Sequence, residues 1–500
     1  MRRIKCLFCI ILMLTLLASC AKQPDPQQQK IEEFNALAEK GADDTKAPEE
    51  PAEDTSDESL YALQQVKVNL YFYDEKANQL SPEIRPMTKW SDSNLTQYVI
   101  KELIGGPETS GLSPVISPDV KINNVDYAED ILSVDLSSEF LKSRDPAIAR
   151  AALVNSLLDL GTFKYIKLYV DGKEVTHTGD NENVVFGLLT RYPNNVPEIK
   201  AYEAQNAEGK GKTNRELFFQ DNQGMYLLPE VRSITVTGGN YAEAIVNELI
   251  KGPVAADEGY YPTLPKGTSL HKTAVINGKD GAHGIALYFS KEFRTHFTGG
   301  SSQEIAMLSS LVYSLTSLPD VNFVKIYYEN EAGRYIDEPV HNAALDQGLT
   351  MDHFPNMVGK RIRVYFGDQQ GMLLVPEYRA ISKDGKDIAA RILSELAGNP
   401  IHPDSVRVIP SDIAPEDIKV RVDKNLAIVD IPSSYFNEEK NDDKKTIRDL
   451  YAIVNSLADP VNLSDIRQVQ FTVDGKAIER YDEISLQDPF VMNPALIKEE

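Results

Sequence analysis

The sequence has few cysteines and a shortage of positive charge. Its three cysteines, Cys6, Cys9 and Cys20, all lie within the first twenty residues, so no disulfide and no cysteine-bound metal is expected beyond them. Only 52 Lys and Arg side chains stand against 75 Asp and Glu, which gives a net charge of -23. Because binding to nucleic acid and to anionic lipid depends on cations, we expect no nucleic-acid partner and no docking on lipid headgroups.

Catalytic signatures are also missing. The sequence contains no Gly-x-Ser-x-Gly turn, no His-Glu-x-x-His motif and no Gly-x-x-x-x-Gly-Lys-Ser/Thr phosphate loop. His271, His283 and His296 are close in sequence, but scattered surface histidines explain them better than a metal site does. We therefore expect no catalytic residue, no metal and no cofactor, in a protein that is not an enzyme.

The first twenty residues have the layout of a secretory signal. Three cations among residues 2–5 precede an apolar run from Leu7 to Leu17 that is too short to span a bilayer. The Leu-Ala-Ser-Cys motif at residues 17–20 resembles a bacterial lipobox, in which the cysteine is lipidated. We expect residues 1–19 to be a lipoprotein signal peptide and Cys20 to anchor the protein on the extracytoplasmic face of the cytoplasmic membrane.

Residues 20–64 are predicted to be a disordered tether that begins with the lipidated cysteine. Between Ala21 and Leu60 there are twelve acidic residues, four lysines and almost no aromatic residues. Such a composition cannot bury enough apolar surface to offset the entropy of ordering the chain. The folded part should therefore stand some distance from the bilayer.

One pattern then repeats three times. The segment Leu80-Ser81-Pro82-Glu83-Ile84-Arg85 recurs at residues 227–232 and 374–379, and the interval between the prolines is 147 residues both times. Other landmarks follow in the same order in each copy, among them Val154-Asn155-Ser156-Leu157 and its counterparts at 312–315 and 454–457. This order predicts three tandem domains, over residues 65–176, 212–333 and 359–480.

Each copy is predicted to contain strand, helix, strand, strand, helix and strand. Val66, Val68, Leu70 and Phe72 alternate with polar or aromatic residues as a half-buried strand requires, and Leu95, Val99 and Leu103 form a helical stripe. The fold class is therefore α+β, with helices packed on a mixed sheet. Each copy is large enough to bury its own core, so few buried contacts should cross the polar connectors.

These landmarks resemble the GerMN domain, the sporulation and spore germination domain. The match includes Leu228-Pro229-Glu230-Val231-Arg232 and Gly252-Pro253 in the second copy, and the closing Val-Asp-Gly at 170–172 and 473–475 in the first and third. The second copy lacks this final Asp-Gly, and the third has Asn399 in place of the glycine before proline. The resemblance implies a non-enzymatic lipoprotein of the cell envelope.

Two recurring polar pairs could carry a function. The Glu-x-Arg pairs share one face of a strand, so each could form an ion pair or bind a partner's charge, although a solvated pair after a turn proline is the simpler expectation. Asn155-Ser156 and Asn455-Ser456 are expected to bond to the backbone or to a neighbouring strand. The candidate binding residues are Glu83, Arg85, Glu230, Arg232, Glu377 and Arg379.

The leading functional hypothesis is a scaffold or assembly module of the envelope, linked to sporulation or germination, whose partners are envelope proteins or further copies of itself. The main alternative is a sensor that binds cell-wall glycan or peptide, with peptidoglycan as partner. That alternative needs exposed aromatic residues on one sheet face. A hydrolase is the third hypothesis.

Overall fold

The computed structural model describes residues 64–498, except 90–91, 129, 176–185, 208–210, 279–280, 319, 384–386, 437–442, 464 and 482–483. The predicted signal peptide, Cys20, the tether and Trp90 lie outside the described residues. Within the described part, no helix combines the length and the apolar composition needed to cross a membrane.

The first repeat contains two small sheets and two helices. A hairpin of β1 and β2 forms one sheet with the short β3, and β4-β5-β6-β7 forms the other. In the second sheet β4 pairs antiparallel with β5, whereas β5 pairs parallel with β6. The elements are β1 Gln64–Asp74, β2 Gln79–Lys89, α1 Asp92–Gly105, β3 Leu112–Ser113, β4 Ile122–Ala128, β5 Ile131–Leu136, α2 Pro146–Leu158, β6 Tyr165–Val170 and β7 Lys173–Glu174.

The other two repeats have the same order of longer elements, and the second also contains the short helix α5. After α3 Val196–Ala207, the second repeat contains β8 Gly211–Gln220, β9 Leu227–Val236, α4 Tyr241–Lys251, β10 Leu270–Asn277, β11 His283–Phe289, α5 Glu292–Thr295, α6 Ser301–Thr316, β12 Phe323–Glu329 and β13 Tyr335–Ile336. The third contains β14 Gly359–Asp368, β15 Leu374–Ser382, α7 Ile388–Ala397, β16 Ser405–Val406, β17 Lys419–Asp423, β18 Leu426–Ile431, α8 Asp443–Ala458, β19 Gln468–Val473, β20 Arg480–Tyr481 and β21 Ile484–Ser485.

Local sequence explains these elements. The side chains of Leu95, Val99 and Leu103 are buried on one side of α1, as their spacing predicts. Asp145 begins α2 by accepting hydrogen bonds from the N–H groups of residues 147 and 148, and Pro146 occupies the first turn. The expected α+β class and mixed sheet are confirmed.

The structure adds one strand to each predicted repeat. The Leu-Pro-Glu-Arg segments, expected to begin with a turn, are the strands β2, β9 and β15, each paired antiparallel along its length with the strand before it. Their prolines are tolerated because β2, β9 and β15 are edge strands of their sheets in the described part of the chain. Apart from two-residue strands and the short helix α5, the described residues of each repeat therefore have the order β-β-α-β-β-α-β.

A segment after each repeat packs back onto that repeat. Leu189, Leu349 and Phe490 each form an isolated bridge with the last long strand of their own repeat. Leu80 N–H donates to the carbonyl of Asn194 at 2.8 Å, and Leu227 N–H donates to that of Met357 at 2.7 Å. We call these segments, residues 186–199, 340–358 and 484–498, the return segments. They extend each core beyond residues 176, 333 and 480.

Candidate functional site

Each repeat buries its Glu-x-Arg pair against the end of its first helix. In the first repeat Arg85 Nε donates to Glu83 Oε1 at 2.7 Å, and Arg85 Nη2 donates to the carbonyl of Gly106 at 2.7 Å. Glu83 Oε2 accepts from the N–H groups of Thr109 at 2.7 Å and Glu108 at 3.1 Å. The pair therefore ties β2 to the turn that follows α1. We call this arrangement the Glu-Arg clasp.

The clasp recurs in the other repeats. Arg232 donates to the carbonyl of Gly252 at 2.6 Å, and Arg379 donates to that of Asn399 at 2.6 Å. Because the contact uses a backbone carbonyl, Asn399 replaces the glycine without loss of this hydrogen bond. The glutamates again accept backbone N–H groups, those of Val254 and Ala255 at Glu230 and those of Ile401 and His402 at Glu377.

Glu83 stays ionised in its buried position. Burial alone would raise the pKa of its carboxyl group, but hydrogen bonds from Thr109, Arg85 and the N–H of Glu108 outweigh burial. They lower the pKa of Glu83 from its ordinary 4.5 to about 2. The clasp is therefore charged at neutral pH.

Of the possibilities that the sequence left open, the local ion pair is present, and the expected solvated pair is wrong. Glu83 and Arg85 are 7% exposed, whereas the intervening Ile84 is 62% exposed, so the usual alternation of a strand is inverted. The physical reason is that the helix end supplies backbone groups that satisfy both charges. These contacts stabilise the domain, and binding of a partner by the six clasp residues stays a prediction.

The second helix holds the hairpin and the return segment through two adjacent side chains. Ser156 Oγ donates to the carbonyl of Ala152 at 2.8 Å and accepts from the N–H of Tyr71 at 2.9 Å. Asn155 exchanges hydrogen bonds of 3.1 and 2.9 Å with the backbone of Tyr192. The predicted bonding to backbone is confirmed. It recurs at Ser456 with Tyr365, Asn455 with Asn493, Ser314 with Phe218 and Tyr313 with Phe354.

Sequence reasoning missed the aspartate just after the second helix. Asp459 is fully buried, and its Oδ2 accepts from the hydroxyl of Tyr365 at 2.6 Å and from Arg363 Nε at 2.7 Å. In the first repeat Asp159 likewise accepts from the hydroxyl of Tyr71 at 2.9 Å. The second repeat has Phe218 and Ser317 at these positions. Because the tyrosine and the aspartate are both replaced in the second repeat, a comparison of the three copies could have indicated that these two residues interact.

Two ion pairs, one buried and one partly buried, join the first and second repeats. Lys167 Nζ of β6 lies 2.7 Å from Glu216 Oε2 of β8, and Arg215 Nη1 lies 3.1 Å from Glu174 Oε1 of β7. Burial lowers the pKa of Lys167, but the negative charge of Glu216 outweighs that effect and raises it. The expectation that few buried contacts cross the connectors is wrong, because strand β8 begins against the sheet of the first repeat.

The second and third repeats are joined by a different contact. Arg361 of β14 pairs with Glu258, and its guanidinium carbon lies 5.3 Å from the ring centroid of Tyr260 and 5.0 Å from that of Tyr378. A cation so placed over aromatic faces gains attraction that an exposed ion pair alone lacks.

The outer sheet face of the second repeat carries a cluster of aromatic side chains. The rings of Tyr288 and Tyr327 stack at 4.9 Å, Tyr335 meets Tyr288 edge-on at 5.0 Å, and Lys272 Nζ lies 4.3 Å from the Tyr288 centroid. The other copies have Asp135 and Asp430 at the position of Tyr288, where they accept from the N–H of the turn glycine. The missing Asp-Gly of the second copy thus coincides with an aromatic surface.

The three clustered histidines have separate partners. His271 Nδ1 lies 2.8 Å from the hydroxyl of Tyr335, His283 Nδ1 lies 3.0 Å from Asn277 Oδ1, and His296 Nδ1 lies 2.8 Å from a backbone carbonyl. Among the described residues, no group of three or more His, Cys, Asp or Glu side chains is placed to hold a metal ion.

A cleft of about 980 Å³ is lined by residues of all three repeats. Tyr127 of β4 and Val422 of β17 contribute large apolar side chains that are 42% and 46% exposed. The third repeat also supplies cations to the lining, Lys360, Lys383, Arg421 and Lys424. The cleft combines apolar and cationic chemistry on an otherwise acidic protein.

Comparison with known proteins gives one family. The family model described as "Germane: Sporulation and spore germination" matches residues 69–176, 216–333 and 363–479. The chain is similar to the solved tandem GerMN domains of the sporulation protein GerM from Bacillus subtilis, at 19% identity over 57% of this chain and 100% of that one, with a TM-score of 0.23. It is also similar to the first GerMN domain of that protein, at 21% identity over 26% of this chain and 96% of that one, with a TM-score of 0.20. No curated protein matches.

Proposed function

Because the chain belongs to the Germane family of sporulation and spore germination domains, we propose that it is a non-enzymatic envelope lipoprotein that acts as an assembly scaffold. The observation that carries this proposal is the docking of successive copies, exemplified by the partly buried Lys167–Glu216 pair. Docking fixes similar domains relative to one another, and linked similar modules bind repeated partners with greater avidity than one module does.

The charged residues that recur in the repeats also favour a scaffold, because they bond within their own repeat. In all three repeats the arginine of the Glu-Arg clasp donates to a backbone carbonyl of its own domain, so these recurring charges serve the framework. Variation among the copies is found instead on outer surfaces, such as the aromatic cluster of the second repeat.

The scaffold role can be tested by crosslinking intact cells and purifying the protein with the molecules bound to it. The wild-type chain should recover envelope proteins, and Lys167→Met, which leaves the partly buried Glu216 without its partner, should recover less of them. Lys164→Met is the matched control, because its ion pair with Asp130 is exposed. If the wild-type chain recovers no envelope protein, the scaffold proposal is wrong.

Anchoring is proposed to depend on Cys20. Replacement of Cys20 by Ala should abolish labelling by radioactive fatty acid, because no other cysteine follows the leader. Cys9→Ala changes a cysteine within the same leader and should keep full labelling. Labelling of the Cys20→Ala protein at the wild-type level would exclude this anchor.

A second candidate function is binding of cell-wall glycan, which the aromatic cluster of the second repeat favours. Tyr335 is 38% exposed, and tyrosines of this kind offer apolar area together with a hydroxyl group. Tyr335→Ala should lower co-sedimentation with purified peptidoglycan. Tyr261→Ala, at a tyrosine of the same repeat that is 41% exposed outside the cluster, should not. Equal co-sedimentation of both variants with the wild type would remove this candidate.

A further inference from the structure

The cleft among the three repeats contains an open strand edge. Strand β17 is at the edge of its sheet and pairs only with β18 in the described part of the chain. Of its five residues, only Val420 is half-buried and the other four are exposed. An open edge presents backbone N–H and C=O groups with which a further strand can pair.

Exposed apolar side chains lie in the same cleft. Val422 projects from β17 itself, and Tyr127 projects from β4, which is the edge strand of the first repeat's sheet. Large apolar side chains on two sheet edges around one cleft mark a surface that a partner can cover. Alternate side chains of an added strand would reach them.

The charge of the cleft indicates which kind of partner strand would bind there. Lys383 and Arg421 are exposed and line it together with two further lysines. The acidic side chains in the lining are Glu216, Asp387 and Asp465, and the charge of Glu216 is already balanced by Lys167. On a chain with a net charge of -23, this local excess of cations attracts acidic segments and repels basic ones.

We infer that the cleft binds an extended acidic peptide segment of an envelope protein as an additional strand on β17. Its apolar side chains contact Tyr127 and Val422, and its carboxylates pair with Arg421 and Lys383. This inference rests on the proposed scaffold function, since it names the kind of partner segment. Its test uses purified components, so it can fail while crosslinking in cells still succeeds, and the reverse also holds.

The test is titration of the purified soluble chain, residues 21–500, with a short labelled peptide in which Glu and Val alternate. Binding should saturate and weaken with added salt. Arg421→Glu should weaken it about tenfold or more, equivalent to ~1.4 kcal/mol. Lys476→Glu is the matched control: it makes the same kind of charge reversal at an exposed lysine of the same repeat, outside both β17 and the cleft lining, and should change affinity much less.

Two altered peptides separate the contribution of charge to binding from that of strand pairing. A Lys-Val peptide should bind poorly because its charge is wrong, and a Glu-Val peptide interrupted by prolines should bind poorly because it cannot pair as a strand. Circular dichroism of each variant verifies that the chain is folded. The inference is overturned if the Glu-Val peptide does not bind, if the Lys-Val or proline peptide binds as well, or if Lys476→Glu is as damaging as Arg421→Glu.

Discussion

At the scale of single residues, the Glu-Arg clasp shows how a strand can bury charged side chains on its inner face. A buried carboxylate is costly unless several donors surround it, and Glu83 meets two backbone N–H groups as well as Arg85. The same strand leaves Ile84 in solvent. The charged side chains of the clasp therefore determine which face of β2 is buried here, although this leaves the apolar Ile84 exposed.

The lowered pKa of Glu83 predicts a loss of stability in acid. Since the pKa is about 2 in the folded state and ordinarily 4.5, the contribution is fully present above pH ~4.5 and is lost as pH falls towards 2. Urea unfolding at a series of pH values, followed by circular dichroism, measures it.

Substitution of Glu83 separates this effect from general acid denaturation. Glu83→Gln should already cost ~1–3 kcal/mol at pH 7, because Arg85 loses a charged partner, and should show a smaller further loss in acid. Glu75→Gln, at an exposed ion pair, serves as the control. A Glu83→Gln protein that loses as much stability in acid as the wild type would contradict the explanation.

At the scale of elements, the periodicity of the sequence predicted helices and strands correctly, whereas elements that depend on distant partners were missed. The stripe Leu95, Val99 and Leu103 predicted α1 correctly because its burial depends on spacing alone. Strand β2 was missed because Glu83 and Arg85 are charged although they are buried, and only the end of α1 makes that burial favourable. The return segments were missed because a few apolar residues, such as Ile199, are diluted among polar ones.

The residues of the candidate site could likewise be predicted only in part from the sequence. The Glu-x-Arg pairs could be found from sequence because they recur, but their internal partners could not, since these come from the turn after the helix. The cleft and the Lys167–Glu216 pair had no sequence signal, because residues that line them are brought together only by the docking of separate repeats.

Asn155 should control the first return segment. Asn155→Ala removes both hydrogen bonds to Tyr192, so residues 186–199 should exchange their amide hydrogens faster while β1 keeps its protection. Hydrogen exchange followed by mass spectrometry distinguishes the two regions. Asn123→Ala, at an exposed side chain of the same repeat, should leave both unchanged. Unchanged exchange in residues 186–199 of the Asn155→Ala protein would show that the contact does not hold the segment.

At the scale of the whole molecule, docking should couple the stability of neighbouring repeats. Leu157 is fully buried in the first core, and Leu157→Ala should cost ~2–5 kcal/mol there. When the first repeat unfolds, Glu216 and Arg215 lose their buried partners, so the transition of the second repeat should also move to lower temperature, by a smaller amount.

Calorimetry measures this coupling. Leu141→Ala is the control within the same repeat, because Leu141 is 45% exposed and its truncation should shift neither transition appreciably. If Leu157→Ala lowered the transition of the first repeat alone, the ion pairs across the connector would not couple the domains, and the repeats would be independent.

The return segment of the second repeat has a mechanical consequence. Val358 bridges to Leu227 of its own repeat, and Gly359, the next residue, already begins the first strand of the third. The Leu227–Val358 bridge and strand β14 are therefore not separated by a flexible linker, which would first have to be stretched. A tensile load on the third repeat therefore reaches the second through one peptide bond and acts at once on the Leu227–Val358 bridge.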